Sequence, residues 1–84
     1  MNEPQQMGTV DGLLERSRKR RLPNPTIRRM LREEAGLTQQ DIAETVGVKR
    51  SAVSRWEAGT RSPRSPAADR YADVLRGLAA AATP

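Results

Sequence analysis

The stretch Gln39–Ala58, QQDIAETVGVKRSAVSRWEA, decides the fold of this chain. Its apolar residues recur at helical spacing in two runs, which predicts two short helices. A tight turn around Gly47 joins them, because glycine supplies the positive φ that such a turn requires. The inner faces of the two helices are expected to carry the apolar residues Ile42, Ala43, Val46, Val48, Val53 and Trp56.

Two helices with this spacing fit a helix-turn-helix. In that motif the second helix lies in the major groove of DNA, with its N-terminal residues against the base edges. The side chains left on the outside of the second helix are Lys49, Arg50, Ser51, Ser54 and Arg55. Three of these five side chains are cationic, a composition that suits a polyanion.

Signals for helix ends predict further helices on both sides. Asn24, followed by proline, starts a first helix, and Thr38 with Asp41 resembles a capping box for the second. Ser51 is expected to cap the third helix and Pro66 to open the last. The apolar residues of the two flanking helices are Ile27, Met30, Leu31, Ala35, Ala68, Tyr71, Ala72, Leu75 and Leu78. Because no strand pattern is present, the fold class is all-α: a compact bundle of four to five short helices containing a helix-turn-helix, with a basic N-terminal arm.

The chain divides into three parts. Residues 1–22 form a flexible or partly helical basic arm, because Pro23-Asn24-Pro25 stops any preceding helix. Residues 23–80 form the helix-turn-helix domain, and residues 81–84 are a tail. A short helix is expected within the arm from about residue 12 to residue 19, and its Leu13-Leu14 pair could instead dock on the domain.

The composition excludes several classes of protein. The chain has 84 residues, with 15 Lys and Arg against 10 Asp and Glu, and it has no Cys and no His. It therefore lacks a disulfide, a thiol nucleophile, a Ser-His-Asp triad and a Cys- or His-ligated metal, so that we expect no enzyme and no cofactor. Its longest apolar run, Leu78–Ala82, is far shorter than the roughly 20 residues that span a bilayer. We expect a single cytoplasmic domain that binds a partner.

The positive charge is unevenly distributed. Residues 16–32 contain eight basic and no acidic residues, whereas residues 33–45 contain four acidic and no basic ones. Thirteen of the fifteen cations are Arg, whose planar guanidinium binds phosphate and guanine in a bidentate manner. The alternative interpretation is a solubilising surface in a genome whose base composition favours Arg codons.

The residues from Ile27 to Leu78 resemble the phage Cro/C1-type (XRE-like) helix-turn-helix proteins. The most specific matches are Gly36-Leu37-Thr38-Gln39, Ile42-Ala43, Val46-Gly47-Val48, Val53–Gly59 and Pro63. The resemblance implies a sequence-specific regulator of transcription that binds double-stranded DNA, as a phage Cro-like or immunity-type repressor in a bacterial or phage-infected cytoplasm. Such domains usually have five helices, so one helix is absent or replaced here.

The resemblance also assigns residues that read the bases. Lys49, Arg50, Ser51 and Arg55 match the positions that face the major groove, and helix 49–58 would occupy it. Arg50 and Arg55 are the best candidates for bidentate contacts to guanine O6 and N7, each contributing about 1–3 kcal/mol of discrimination. The alternative for both is non-specific binding to phosphates.

A second set matches phosphate contacts beside the groove. Gln39 corresponds to the family's phosphate-contacting glutamine at a helix N-terminus. Ser54 lies next to the base-reading residues, and Arg61 and Arg64 lie in the loop that approaches the DNA backbone. The alternatives are an ordinary first-turn residue for Gln39 and solvent-exposed positions for the other three.

Other matching positions imply structural roles. Arg32 and Glu57 match an ion pair that ties the first helix to the end of the DNA-reading helix, so that its loss should damage folding more than specificity. Trp56 is expected in the core at helical spacing from Val53, and Tyr71 in the core or at a dimer contact.

The basic arm has the least defined role. Its cations, which would follow a minor groove, add phosphate contacts or remain solvated, are Arg16, Arg18, Lys19, Arg20 and Arg21. Because one helix covers only a few base pairs, we expect a homodimer or cooperative binding on a palindromic operator, with half-sites roughly 34 Å apart.

Two other functions compete with DNA reading. An antitoxin or protein-interaction module would bind DNA only secondarily and would fold residues 1–22 on its partner. A membrane-surface role would need a large apolar face with Trp or Phe anchors, which the Arg-rich segment lacks, so no membrane partner is expected.

Overall fold

The structure, a computed structural model, describes residues 22–82 of the chain. It contains four helices, which we number α1 (Pro25–Glu34), α2 (Gln39–Val46), α3 (Arg50–Ala58) and α4 (Ala67–Ala82), and no strand within the described residues. The all-α prediction is confirmed. None of these helices has the length and apolar content needed to cross a bilayer. The predicted arm helix, at residues 12–19, lies outside the described residues.

Local capping signals account for where α1 and α2 begin. Asn24 accepts a hydrogen bond from the Ile27 N–H at 2.9 Å, and Pro25 is the first residue of α1. Thr38 and Asp41 form a reciprocal capping box, with hydrogen bonds of 3.0 and 2.8 Å. The hydrogen bonds that Thr38 donates lower the pKa of the Asp41 carboxyl. Both predicted caps are confirmed.

The turn between α2 and α3 depends on Gly47. Gly47 ends α2 in the left-handed region, with φ of 86°, and the N–H groups of Gly47 and Val48 both donate to the Ala43 carbonyl. The predicted cap of α3 is wrong, because Lys49 and not Ser51 is the N-cap, and it makes no side-chain capping bond. Extended backbone at Lys49 starts the helix, so that Ser51 lies inside its first turn.

The last helix also begins differently from the prediction. Pro66 precedes α4 and does not open it, because the helix begins at Ala67. The Pro66 carbonyl still accepts hydrogen bonds from the N–H groups of Asp69 and Arg70. α4 continues to Ala82, so that the described part of the predicted tail is helical.

The core lies where α3 and α4 each pack against both α1 and α2. Trp56 and Tyr71 are 4% and 1% exposed, and their ring centroids lie 4.8 Å apart in a tilted arrangement. Both aromatic residues therefore contribute to packing. The remaining buried apolar residues are Ile42, Ala43, Val46, Val53, Ala68, Ala72 and Leu75.

The inner face of α1 carries a cation that the apolar spacing did not predict. Arg28 is buried, its Nε donates to the Pro23 carbonyl at 2.8 Å, and its guanidinium lies 5.9 Å from the centre of the Tyr71 ring. Within residues 22–82, neither Nη1 of Arg28 nor the Tyr71 hydroxyl has a hydrogen-bond partner. Burial raises the pKa of Tyr71. Ile27 and Met30 are correspondingly turned outward and are exposed.

We predict opposite effects for two Gly→Ala substitutions. Gly47→Ala should destabilise the domain by about 1–2 kcal/mol, because a Cβ is strained at this positive φ. Gly77→Ala, inside α4 with open space around the new Cβ, should stabilise it by about 1 kcal/mol. Urea unfolding of the two variants measures both effects. If both substitutions changed the free energy of unfolding equally and in the same direction, the strain assigned to a Cβ at position 47 would be contradicted.

Candidate nucleic-acid interface

α3 has one buried face and one exposed basic face. Val53 and Trp56 are buried against the core. The predicted base-contacting residues are all exposed and belong to the start and outer side of this helix: Lys49, Arg50, Ser51 and Arg55. Ser54, a predicted phosphate contact, lies half-buried beside them. The structure therefore brings the predicted base-contacting residues together on one surface.

The loop that follows α3 extends this basic surface. Gly59 ends α3 with φ of 75°, and Thr60 donates both its N–H and its hydroxyl to the Arg55 carbonyl. Arg61 and Arg64 follow in the loop, and both are exposed. Between residues 47 and 66 the chain has five cations, all of them exposed, and a single acidic residue, Glu57, which is buried.

Glu57 is neutralised by Arg32 of α1. The Arg32 Nε and Nη2 donate to the two Glu57 carboxylate oxygens at 2.7 and 2.9 Å. Its Nη1 donates to the Leu37 carbonyl at 2.9 Å. The two side chains are only 11% and 3% exposed. The pair therefore fixes α3 to α1 and to the link before α2 with directional contacts in a dry environment.

Gln39 connects this ion pair to the exposed basic surface. Its amide Nε2 donates to Glu57 Oε1 at 3.1 Å, and its Oε1 accepts a hydrogen bond from Arg50 Nη1 at 3.3 Å. The chain of contacts runs from Arg32 through Glu57 and Gln39 to Arg50. Gln39, the first residue of α2, is thus oriented by the carboxylate and holds Arg50 in turn.

The electrostatics of the pair follow from its contacts. Burial raises the pKa of the Glu57 carboxyl, but the hydrogen bonds from Arg32 and Gln39 outweigh burial, so that its pKa lies below the usual value. The hydrogen bond to Glu57 raises the pKa of Arg32. Both groups are therefore charged at neutral pH.

Arg70 also helps to hold the helix-turn-helix in place, and the sequence did not predict this role. It lies in α4, and its Nε donates to the Val46 carbonyl at the end of α2 at 2.7 Å. This contact joins α4 to the turn that orients α3. No local pattern indicates it, because the two residues are 24 positions apart.

The predicted arm cations Arg16, Arg18, Lys19, Arg20 and Arg21 lie outside the described residues.

Among residues 22–82 there is no cluster of acidic side chains able to hold a metal ion.

A family model described as "Helix-turn-helix" matches residues 29–78. This range includes α2, the turn and α3 in full, together with the loop that carries Arg61 and Arg64. No curated protein and no solved structure matches the chain.

We predict that the buried ion pair contributes strongly to stability. Glu57→Gln leaves the buried Arg32 charge with only the exposed Glu33 carboxylate, 4.0 Å away, and should lower the free energy of unfolding by about 3–5 kcal/mol. The matched control is Asp73→Asn, which breaks an exposed pair with Arg76 and should cost less than about 1 kcal/mol. Equal losses in urea unfolding would contradict this difference.

The same variant should show the pH dependence of the pair. Because the folded-state pKa of Glu57 is lowered, its contribution is complete above the unfolded-state pKa of about 4.3 and is lost as the pH falls through the folded-state pKa. The stability difference between the wild type and Glu57→Gln should therefore be constant near neutral pH and shrink in acid. A difference that grows in acid would contradict this sign.

Proposed function

The chain belongs to the Cro/C1-type helix-turn-helix family of DNA-binding transcriptional regulators, and we propose that it is a repressor that reads a specific double-stranded operator. The observation that carries this proposal is the exposed face of α3, where Lys49, Arg50, Ser51 and Arg55 lie together above a buried apolar face. A helix with this division packs on its own domain and leaves basic side chains for the major groove.

Arg50 and Arg55 are the base-reading residues in this proposal. Both are exposed, and within residues 22–82 neither forms an ion pair with a carboxylate. Their guanidinium groups can donate two parallel hydrogen bonds to guanine O6 and N7. Lys49 and Ser51 lie at the start of the helix, where the motif approaches the base edges.

Gln39 supports Arg50 from the phosphate side. Its carbonyl accepts from Arg50, while its amide nitrogen is held by Glu57. An amide carries two N–H groups, so that a second donor remains for a phosphate oxygen. We assign Gln39 both tasks, orienting Arg50 and contacting the backbone.

The remaining contacts position the domain on the duplex. Arg61 and Arg64 contact phosphates from the loop beside α3, and Ser54 contributes a hydroxyl. The arm at residues 1–22 adds phosphate or minor-groove contacts to those of the domain at residues 23–80. Residues 81–84 are the tail, of which residues 81 and 82 continue α4. These contacts increase affinity and carry little sequence information.

Stoichiometry follows from the length of α3. Its nine residues cover only a few base pairs, so that a homodimer or cooperative pair on a palindrome is needed for adequate specificity. Occupying such an operator blocks polymerase, as in a phage Cro-like or immunity-type regulator acting in the cytoplasm of a bacterium or an infected host.

Selection of bound sequences from a random DNA pool tests this proposal. A palindromic consensus with half-sites about one helical turn apart is expected. Recovery of sequences without a consensus would contradict direct readout.

The base contacts should be separable from general charge. On the selected operator, Arg50→Ala and Arg55→Ala should each reduce affinity about 5- to 150-fold and relax the preference at particular base positions. Arg76→Ala removes an exposed cation from α4 and serves as the matched control, with no change in preference. A uniform loss on all sequences would show that Arg50 and Arg55 contact only phosphates.

The phosphate contacts should appear in the salt dependence. Arg61→Ala or Arg64→Ala should lower the slope of log K against log salt by about 0.9, and should weaken specific and non-specific sites alike. Fluorescence anisotropy at several salt concentrations measures the slope. An unchanged slope for both variants would place the loop away from the DNA.

A further inference from the structure

An apolar groove runs between α1 and α4, away from the basic surface. Its volume is about 240 Å³, and its apolar lining includes Ile27, Leu31, Leu75 and Ala79. A cavity of about 150 Å³ holds a benzene-sized group, so this groove has room for a leucine side chain. None of the proposed DNA-contacting residues lines it.

The groove continues along the helix pair toward the end of α1. A smaller hollow of about 120 Å³ shares Leu31 with it and is lined further by Ala35 and Leu78. Ile27 lies at the other end and remains 39% exposed. Leu75 is buried at the floor of the groove, and Ile27 leaves apolar surface open to solvent that a second apolar segment can bury.

We propose that this groove binds residues 10–14 of the same chain through Val10, Leu13 and Leu14. These three residues are the apolar members of a segment that is otherwise polar, and they are spaced i, i+3 and i+4, as on one face of a helical turn. The segment lies outside the described residues.

Chain geometry favours this occupant. Leu22 packs against the core, and the next residue, Pro23, lines the groove, so that the preceding chain joins the domain at the groove itself. The eight residues 15–22 can extend over about 26–29 Å. α1, with ten residues, is about 15 Å long. Leu14 can therefore reach any part of the groove.

Tethering points the same way. A segment joined by a short linker has an effective concentration in the millimolar range, which a second copy of the chain reaches only in concentrated solution. The intrachain segment is therefore favoured over a second copy.

Docking would restrict the conformations of the stretch that carries the arm cations. With Leu14 bound in the groove and Pro23 fixed at its edge, the Arg-rich stretch between them becomes a loop closed at both ends. This inference does not depend on the proposed function, because it concerns a surface that shares no residue with the basic face.

A paramagnetic label in the full-length chain tests the docking without DNA. The chain has no cysteine, so Glu15→Cys gives a single attachment site and leaves the three apolar residues intact. The label should broaden the amide signals of Ile27 and Ala79 more than those of Lys49 and Arg55. Equal broadening, or none, at the two groups would overturn the proposal.

Two controls separate the occupants. In the labelled chain, Leu13→Ser with Leu14→Ser should abolish the selective broadening, whereas Arg16→Ser with Arg18→Ser should preserve it. Binding between copies is detected in a mixture of two kinds of chain. One carries the paramagnetic label without isotope enrichment, and the other is isotope-enriched without the paramagnetic label. Selective broadening that appears in this mixture would identify a second copy as the occupant and would overturn the intrachain proposal.

A matched pair of substitutions in α1 tests whether the groove is the docking site. Ile27 and Met30 are both exposed apolar residues of α1, but only Ile27 lines this groove. Ile27→Ser should abolish the selective broadening, now read at Ala79, and Met30→Ser should leave the broadening at Ala79 unchanged. Circular dichroism of both variants verifies that the helices are retained. The same response from both variants would overturn the assignment of the groove.

Discussion

The guanidinium of Arg32 makes three hydrogen bonds, two to the Glu57 carboxylate and one to the Leu37 carbonyl. These contacts join α1, the α1–α2 link and the last turn of α3. A buried ion pair is not intrinsically more stabilising than apolar residues of the same volume, but it is directional. Its geometry fixes the orientation of α3, and the position of the basic surface follows from it.

Directional contacts matter here because the apolar core is small. Among the described residues, nine buried apolar residues form it, and a domain of this size buries a modest share of its surface. Arg70 adds a second fixed contact, between α4 and the end of α2. Arg32 thus joins α1 to the helix-turn-helix, and Arg70 joins α4 to it. The rings of Trp56 and Tyr71 pack against each other in the core.

Much of the helical framework was predictable because its signals are local. The caps Asn24 and Thr38 and the turn residue Gly47 each act within four residues of their own position. The start of α3 was not predictable from a capping side chain, because Lys49 supplies only extended backbone. Likewise, the burial of Arg28 depends on Tyr71, which is remote in sequence.

The sequence predicted which residues of α3 are exposed, but it did not predict the hydrogen bonds that connect them to the rest of the domain. Periodicity places the exposed residues of α3 on one face, which is why the basic surface could be proposed before the structure. The link from Gln39 to Glu57 spans 18 positions and the link from Gln39 to Arg50 spans 11, and no periodic pattern encodes either. Such contacts emerge only when three helices meet.

This network connects the buried ion pair to the candidate interface. Arg50 lies on the exposed basic surface, and its hydrogen-bond acceptor, Gln39, is held by Glu57, which is held in turn by buried Arg32. The strength of the contacts increases inward, from an exposed 3.3 Å hydrogen bond to a charge-assisted pair at 2.7 Å. In the proposed complex, DNA would compete for the outermost contact while the inner ones remain intact. The Arg50 side chain would then change its hydrogen-bond partner, whereas the buried contacts keep α3 in place.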